Sequence, residues 1–245
     1  MIKIHAIRRP VVLLLVVVLG RSATLGLAAE AFTPPAPTAR ADIAVPASRD
    51  SITIESLPDI GLWMLSSKGD IASWLGWRYN GRELREPINV IIVDLVSKSE
   101  TEAIARLEAA CAKAGFEERV GHSSGYSAII GDSTHAQLPR ANEKAFSDGP
   151  FEIANNHGRI FGPAPWMHGY VFTAAFSREF TDIVAKVKHH YRSFNQARDA
   201  FTQSLDVRTP YRIEGFLRLG NTVVGSSEIT TGDHDGMAVF LVSRR

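Results

Sequence analysis

The stretch INVIIVDLVSKSETEAIARLEAACAKAG, residues 88–115, carries the strongest fold signal in the sequence. It opens with an almost continuous β-branched run, which is typical of a strand covered on both faces. Ser99 followed by Glu102 forms a capping box, so a helix is expected to begin there. Gly115 predicts the end of that helix, and helical spacing places Cys111 on its apolar side. The stretch therefore predicts a strand, a short loop and a helix.

Further strands and a second helix are expected after this unit. Ser193 is positioned as an N-cap, and an apolar stripe that reaches Leu205 follows it. The segment 179–194 fits a strand or a helix, and we favour a strand, whereas the polar stretch 131–150 is expected to be a surface loop. Other strands are expected at 126–130, 151–161, 168–176, 211–224 and 237–245.

These elements do not alternate regularly along the chain. Two helices and about six strands in this order predict an α+β fold. The expected architecture is a mostly antiparallel sheet of about six strands with two main helices packed on one side.

The N-terminal segment predicts export. Basic residues precede an apolar run at 11–19, and small residues follow it, which is the layout of a signal peptide over residues 1–28. Residues 29–50 are rich in proline and alanine and are expected to form an extended tether. The remainder is expected to be a single domain over 51–245, with 51–86 as a covering segment and 87–245 as the core.

The expected location is periplasmic or secreted. In the alternative, the N-terminal segment is not cleaved and tethers the protein to the inner membrane. Its apolar run is shorter than the roughly 20 residues that a membrane-spanning helix needs. We therefore favour cleavage.

The charge balance excludes one class of partner. The whole chain has 27 basic and 26 acidic residues, and removal of 1–28 takes away four basic residues and no acidic one, leaving 23 against 26. A mildly acidic domain offers no electrostatic surface for nucleic acid. The chain has one cysteine, Cys111, so a hydrophobic core and not an intramolecular disulfide is expected to hold the domain together.

The stretch NNHGRIFGP, residues 155–163, contains the first candidate site. The alternation of a strand places His157 and Arg159 on one face, about 7 Å apart at their Cα atoms, so that both can donate to one anion. We assign His157, Arg159 and Arg178 as ligand-binding residues. In the alternative, His157 and Arg159 lie at an exposed strand end and contact water and a carboxylate.

The histidines are the second group of candidates. His122, His157, His189 and His190 are candidate catalytic residues, although neighbours such as His189 and His190 point to opposite faces of a strand. No histidine or cysteine has the spacing of a zinc motif, so neither a metal site nor another cofactor is predicted. The sequence also lacks a nucleophile elbow, a P-loop and a dinucleotide fingerprint.

The order of segments resembles the C-terminal domain of LssY-type proteins over roughly residues 86–206. The segments are the EPINVIIVDLV strand with its helix, YSAIIGD, NNHGRIFGP, GYVFTAAFSRE and HHYRSFNQARDAFTQSL. The sequence has Phe116 where that family typically has a tryptophan after the glycine. Members are often attached to membrane phosphatase-like or transport-like domains. The resemblance implies an envelope location and assigns no catalytic residue.

These observations support two functional hypotheses. The first is an exported cell-envelope domain that binds a small anionic ligand or an envelope protein partner at His157 and Arg159. The alternative is a hydrolase that acts on phosphate esters through a cluster of histidines and Arg159. A hydrolase needs these side chains to converge in one pocket. The sequence leaves open whether the protein is an enzyme.

Overall fold

The computed structural model describes residues 42–54, 57–167, 169–182 and 188–243. They belong to one unit that spans 34–245. The predicted signal peptide and residues 29–41 of the predicted tether lie outside the described residues. In the described ranges, no helix is long and apolar enough to cross a membrane.

The described ranges contain two helices and many short strands. The helices are α1 (Glu100–Ala114) and α2 (Phe194–Arg208). The strands are β1 (Asp42–Ile43), β2 (Ser51–Ile52), β3 (Ile60–Gly61), β4 (Ser73–Tyr79), β5 (Arg82–Arg85), β6 (Val90–Asp94), β7 (Glu117–Val120), β8 (Ser127–Ile130), β9 (Ser133–Leu138), β10 (Lys144–Ser147), β11 (Asn155–Trp166), β12 (Gly169–Asp182), β13 (Lys188–Ser193), β14 (Tyr211–Arg218), β15 (Thr222–Val223), β16 (Ile229–Thr230) and β17 (Met237–Ser243).

Both helices begin where their caps predict. The Ser99 side chain accepts a hydrogen bond from the backbone N–H of Glu102, and Gly115 closes α1 with a left-handed backbone at φ +90°. The Ser193 side chain accepts from the backbone N–H of Gln196 at the start of α2. The prediction of both helices is therefore confirmed. It could be made from the sequence because side-chain caps act over three residues and need no distant contact.

A long antiparallel hairpin of β11 and β12 forms the centre of a sheet of 12 strands within the described ranges. The outer edge of β11 pairs with β10 near His157 and with β9 near Phe161. The outer edge of β12 pairs with β6 over residues 170–174 and with β13 over residues 178–182. The sheet therefore forks at the end of the hairpin where Asn155 lies opposite Glu179.

The predicted α+β sheet of about six strands is wrong, because the protein is mostly β. The predicted surface loop 131–150 contains β9 and β10, and the predicted covering segment contains β2 to β5. These strands are short, and β9 begins with exposed polar residues. Such segments lack an apolar alternation. They are strands because they pair with a neighbouring strand, and not because of their own sequence pattern.

The central sheet has apolar layers on both faces. In β6, Val90 and Ile92 pack in a core with α1 and α2, whereas Ile91 and Val93 pack in a second core with residues 60–72. All five residues of β6 are buried, which confirms the prediction of a strand covered on both faces. The face of β11 that carries Phe161 belongs to the second core, on the side away from the helices.

Gly158 permits the close packing of the hairpin. A Cβ atom at Gly158 would lie 2.5 Å from the backbone oxygen of Ala175 and 2.5 Å from the ring of Phe176. Only glycine fits at this position without a shift of β12.

Candidate metal centre

Three side chains that the chain separates widely come together at the forked end of the sheet. His157 lies on β11, Glu179 lies on β12, and His122 lies in the loop after β7. One ligand atom of each residue lies within 4.8 Å of the ligand atoms of the other two. The exposed fractions are 4% for His122, 4% for His157 and 1% for Glu179. The cluster is therefore an interior feature of the domain.

Asn155 positions two of these three side chains. Its Nδ2 donates to Glu179 Oε1 at 2.6 Å, so its Oδ1 faces His157 Nδ1 at 3.1 Å. An amide oxygen only accepts, so His157 donates from Nδ1 and its Nε2 carries the lone pair. That Nε2 accepts from the Ser177 hydroxyl at 3.4 Å. The same hydroxyl oxygen accepts from the indole N–H of Trp74.

His122 completes the cluster from the other side. Its ring stacks on that of His157, with the ring centroids 4.6 Å apart and the planes at 29°. Its Nε2 is buried and has no hydrogen-bond partner among the described residues. Ring nitrogens of His135, His189 and His234 are also buried without a hydrogen-bond partner among the described residues, so what distinguishes His122 is its place beside His157 and Glu179.

His189 lies at the edge of the cluster, and His190 lies outside it. His189 Nδ1 is 3.2 Å from Glu179 Oε2, and the His189 ring stacks on Phe151 with centroids 3.9 Å apart. His190 instead lines a separate small cavity with Tyr79. The structure thus brings three of the four candidate histidines together, and leaves out the neighbour that points to the opposite face.

Arg159 is buried beside the cluster and does not lie at an exposed strand end. Its exposed fraction is 4%, its Nη2 donates to the backbone oxygen of Ser123 at 2.8 Å, and its guanidinium lies over the ring of Tyr126 at 5.1 Å. The expectation of an exposed pair is therefore wrong, because a second layer covers this face of the hairpin. Arg178 lies apart, half-buried, and donates to Asn156 Oδ1 at 3.3 Å.

Burial controls the protonation of the cluster. Burial, with the charge of Arg159 as a second cause, lowers the pKa of His122 to about 4 and that of His157 well below its usual value. Burial raises the pKa of Glu179 to about 7, against the opposing effects of Asn155 and Arg159. Burial also raises the pKa of Glu86 to about 7. The two histidines are therefore neutral, which is the form of imidazole that binds a metal.

The space inside the cluster is small. A cavity of about 20 Å³ lies between Glu86, His122, His157, Arg159 and Glu179. That volume holds about one water molecule, and hence one ion, but not an organic substrate. Two imidazoles and one carboxylate are a common ligand set for zinc and for other divalent transition metals.

The sequence interpretation missed Glu179 and Glu86, and it rejected a metal site on spacing alone. The strand expected at 168–176 extends to Asp182, and its alternation carries the face of Ser177 on to Glu179. Extending that alternation by three residues would have put Glu179 on the same face of the strand as Ser177, but its position near His157 depends on the register of the hairpin. Motif spacing could not find the site, because its ligands come from a loop and two strands.

Comparison with known proteins found no matching family model, no matching curated protein and no matching solved structure. The resemblance to LssY-type C-terminal domains therefore stays a hypothesis.

Proposed function

We propose that this protein is an exported cell-envelope domain whose buried cluster of His122, His157 and Glu179 binds a divalent transition-metal ion, with zinc as the first candidate. The observation that carries the proposal is the convergence of three ligand atoms within 4.8 Å in the interior of the domain. His122 Nε2 is buried without a hydrogen-bond partner in the described ranges, which leaves it free to bind an ion.

The cluster needs only small movements to bind zinc. Zinc bonds of about 2.0–2.2 Å in a tetrahedral site place neighbouring ligand atoms about 3.3 Å apart. Separations of up to 4.8 Å would have to contract by up to about 1.5 Å, which rotations of the His122 and Glu179 side chains would supply. His189 Nδ1 lies 3.2 Å from Glu179 Oε2, from where it would orient the carboxylate without belonging to the group of three ligands.

The proposed ion has a structural role. It would link the loop of His122 to both strands of the hairpin at the point where the sheet forks. A single cysteine leaves an exported domain without an intramolecular disulfide, and a metal contributes its binding free energy to the folded state instead.

Binding is favoured over phosphate-ester hydrolysis. The same histidines would carry hydrolysis, and they do converge, but a cavity of about 20 Å³ has no room for a phosphate ester. The burial of His157 and Arg159 argues in the same way against an anionic ligand held directly by this pair.

The test is metal binding by the purified domain without a histidine tag, since a tag would itself bind metal. We expect about one zinc per chain by elemental analysis and a tetrahedral visible spectrum after exchange with Co²⁺. Glu179→Gln and His122→Gln should each weaken zinc binding at least about ten-fold, because each removes one ligand. His234→Gln is the matched control, since His234 is a buried histidine whose Nε2 bonds to Asn221 outside the cluster.

Two results would contradict the proposal. One is a wild-type domain that neither contains metal nor binds zinc on titration. The other is zinc binding of equal strength in wild type, Glu179→Gln and His122→Gln.

The envelope location has its own test. It is supported by the signal-peptide pattern at residues 1–28. Cells that produce the full chain with a C-terminal tag should contain the protein in the periplasm or medium, with a mature N-terminus near residue 29 by mass spectrometry. Recovery from the cytoplasm with Met1 in place would exclude export.

A further inference from the structure

The loop that carries His122 also lines a second, larger depression. Gly121 to Ser123 border the small cavity of the metal centre, whereas Ser124 to Tyr126 line a groove of about 760 Å³. That volume lies in the range of sites for small molecules. We refer to this depression as the basic groove, because Arg49, Lys68 and Arg140 line it.

Three cationic side chains line the basic groove, and no carboxylate does within the described residues. The cations are Arg49, Lys68 and Arg140. All three are exposed, and none forms an ion pair with another described residue. The mature chain is mildly acidic, so this concentration of positive charge does not follow from composition. A concave surface lined by one sign of charge attracts ligands of the opposite sign.

Hydroxyl and amide groups between the cations complete the set of donors. Ser67, Ser124 and Asn142 line the same groove. Ser124 Oγ accepts a hydrogen bond from the backbone N–H of Glu143, which leaves its hydroxyl hydrogen for another acceptor. Neutral donors beside several cations suit the oxygen atoms of a phosphate group.

A buried cation supports the wall of the groove. Tyr126 lines the groove, and the guanidinium of Arg159 lies 5.1 Å from the centre of its ring. The Tyr126 hydroxyl is 2.9 Å from Ser123 Oγ, and Ser123 also accepts from Arg159. The positive charge of Arg159 thus lies directly behind the groove, although Arg159 itself is not accessible.

We propose that the basic groove binds a small ligand that carries two or more phosphate groups. Three cations spread around a groove of this volume match a ligand with separated negative charges better than a single anion. The proposal goes beyond metal binding and does not depend on it, because none of the three metal ligands lines the groove. The phosphates could belong to a soluble metabolite or to the headgroup of an anionic lipid.

The experiment separates these two sources and excludes the metal. The tag-free domain is titrated in EDTA with fructose 1,6-bisphosphate, with fructose as the neutral control. In a second arm, the domain is sedimented with phosphatidylcholine vesicles that contain cardiolipin, with pure phosphatidylcholine as the control. Lys68→Gln and Arg140→Gln remove groove charges, and Lys113→Gln on α1 removes the same charge from an exposed site elsewhere.

Binding in either arm supports the proposal if Lys68→Gln and Arg140→Gln each weaken it at least about ten-fold and Lys113→Gln leaves it unchanged. The bisphosphate arm then indicates a soluble ligand, and a response to cardiolipin alone indicates a lipid headgroup. Absence of binding in both arms would overturn the proposal. Equal weakening by all three variants, or no weakening by the groove variants, would overturn it as well. All variants change exposed side chains, and an unchanged melting temperature checks that they fold.

Discussion

The imidazole rings of His122 and His157 stack face to face, with centroids 4.6 Å apart. Two imidazolium ions would repel each other at this distance, so at least one of the two rings must be neutral. Burial provides this condition by lowering the pKa of both histidines. The same burial makes both rings suitable as metal ligands, and Asn155 orients one of them, His157, beside Glu179.

Asn155→Ala should weaken zinc binding about 10-fold to 100-fold, which is the usual effect of losing a residue that orients metal ligands. Asn155 contacts both Glu179 and His157, so its loss frees both side chains. The measurement is competitive zinc titration, with the Co²⁺ spectrum as a readout of ligand geometry. Asn156→Ala is the control, because Asn156 bonds to Asp148 and Arg178 and to none of the metal ligands. Similar zinc affinity for both variants would remove Asn155 from the site.

Arg159→Ala should destabilise the fold by about 3 kcal/mol or more. Its charge lies near the buried carboxyl groups of Glu86 and Glu179, and removal of a buried countercharge is costly. The measurement is urea unfolding of the metal-free protein at a pH well above 7, where both carboxyl groups, with pKa values of about 7, are ionised. Arg178→Ala should cost less than about 1 kcal/mol, since Arg178 is half-buried and its hydrogen bond to Asn156, at 3.3 Å, is long. A small loss for Arg159→Ala would show that neither carboxyl depends on its charge.

His234 should make the fold sensitive to acid. Burial is the main cause that lowers its pKa from 6.5 to about 4. The unfolded chain therefore binds a proton below pH 6.5 that the folded protein accepts only near pH 4. His234 therefore contributes on the order of 3 kcal/mol to the free energy of unfolding above pH 6.5. This contribution is lost as the pH falls from 6.5 to 4.

The control for this effect is His234→Gln, which has no titrating group at this position. The loss of unfolding free energy between pH 7 and pH 4 should be smaller in His234→Gln than in wild type. Subtracting the two curves isolates His234 from the other buried histidines. Parallel curves would mean that His234 takes up its proton without cost to the fold.

Cys111 should react with a thiol reagent only after unfolding. Cys111 belongs to α1, and its side chain is fully buried in the core. Burial raises the pKa of its thiol. Both effects suppress reaction, because the thiolate is the reactive form. The labelling rate in increasing urea should follow the unfolding curve. Rapid labelling of the native protein would contradict the burial of this helix face.

Local signals in the sequence determined the two helices and the main strands. The caps at Ser99 and Ser193 act over three residues, and the β-branched run at 88–96 identifies a strand buried on both faces without knowledge of its neighbours. The alternation in β11 likewise placed His157 and Arg159 on one face. These features depend on residues close together in the chain, so they could be predicted.

Only the tertiary structure decided the size of the sheet and the composition of the site. β9 and β10 are strands because they pair with two separate stretches of the edge of β11. Glu179 reaches His157 because the register of the hairpin sets Asn155 opposite Glu179, and His122 arrives from a loop. Whether His157 and Arg159 meet water or a second layer depends on residues far earlier in the chain, including Trp74. Pairing register and the covering of a face depend on contacts between residues far apart in the chain. Neither can be predicted from the local pattern of a strand.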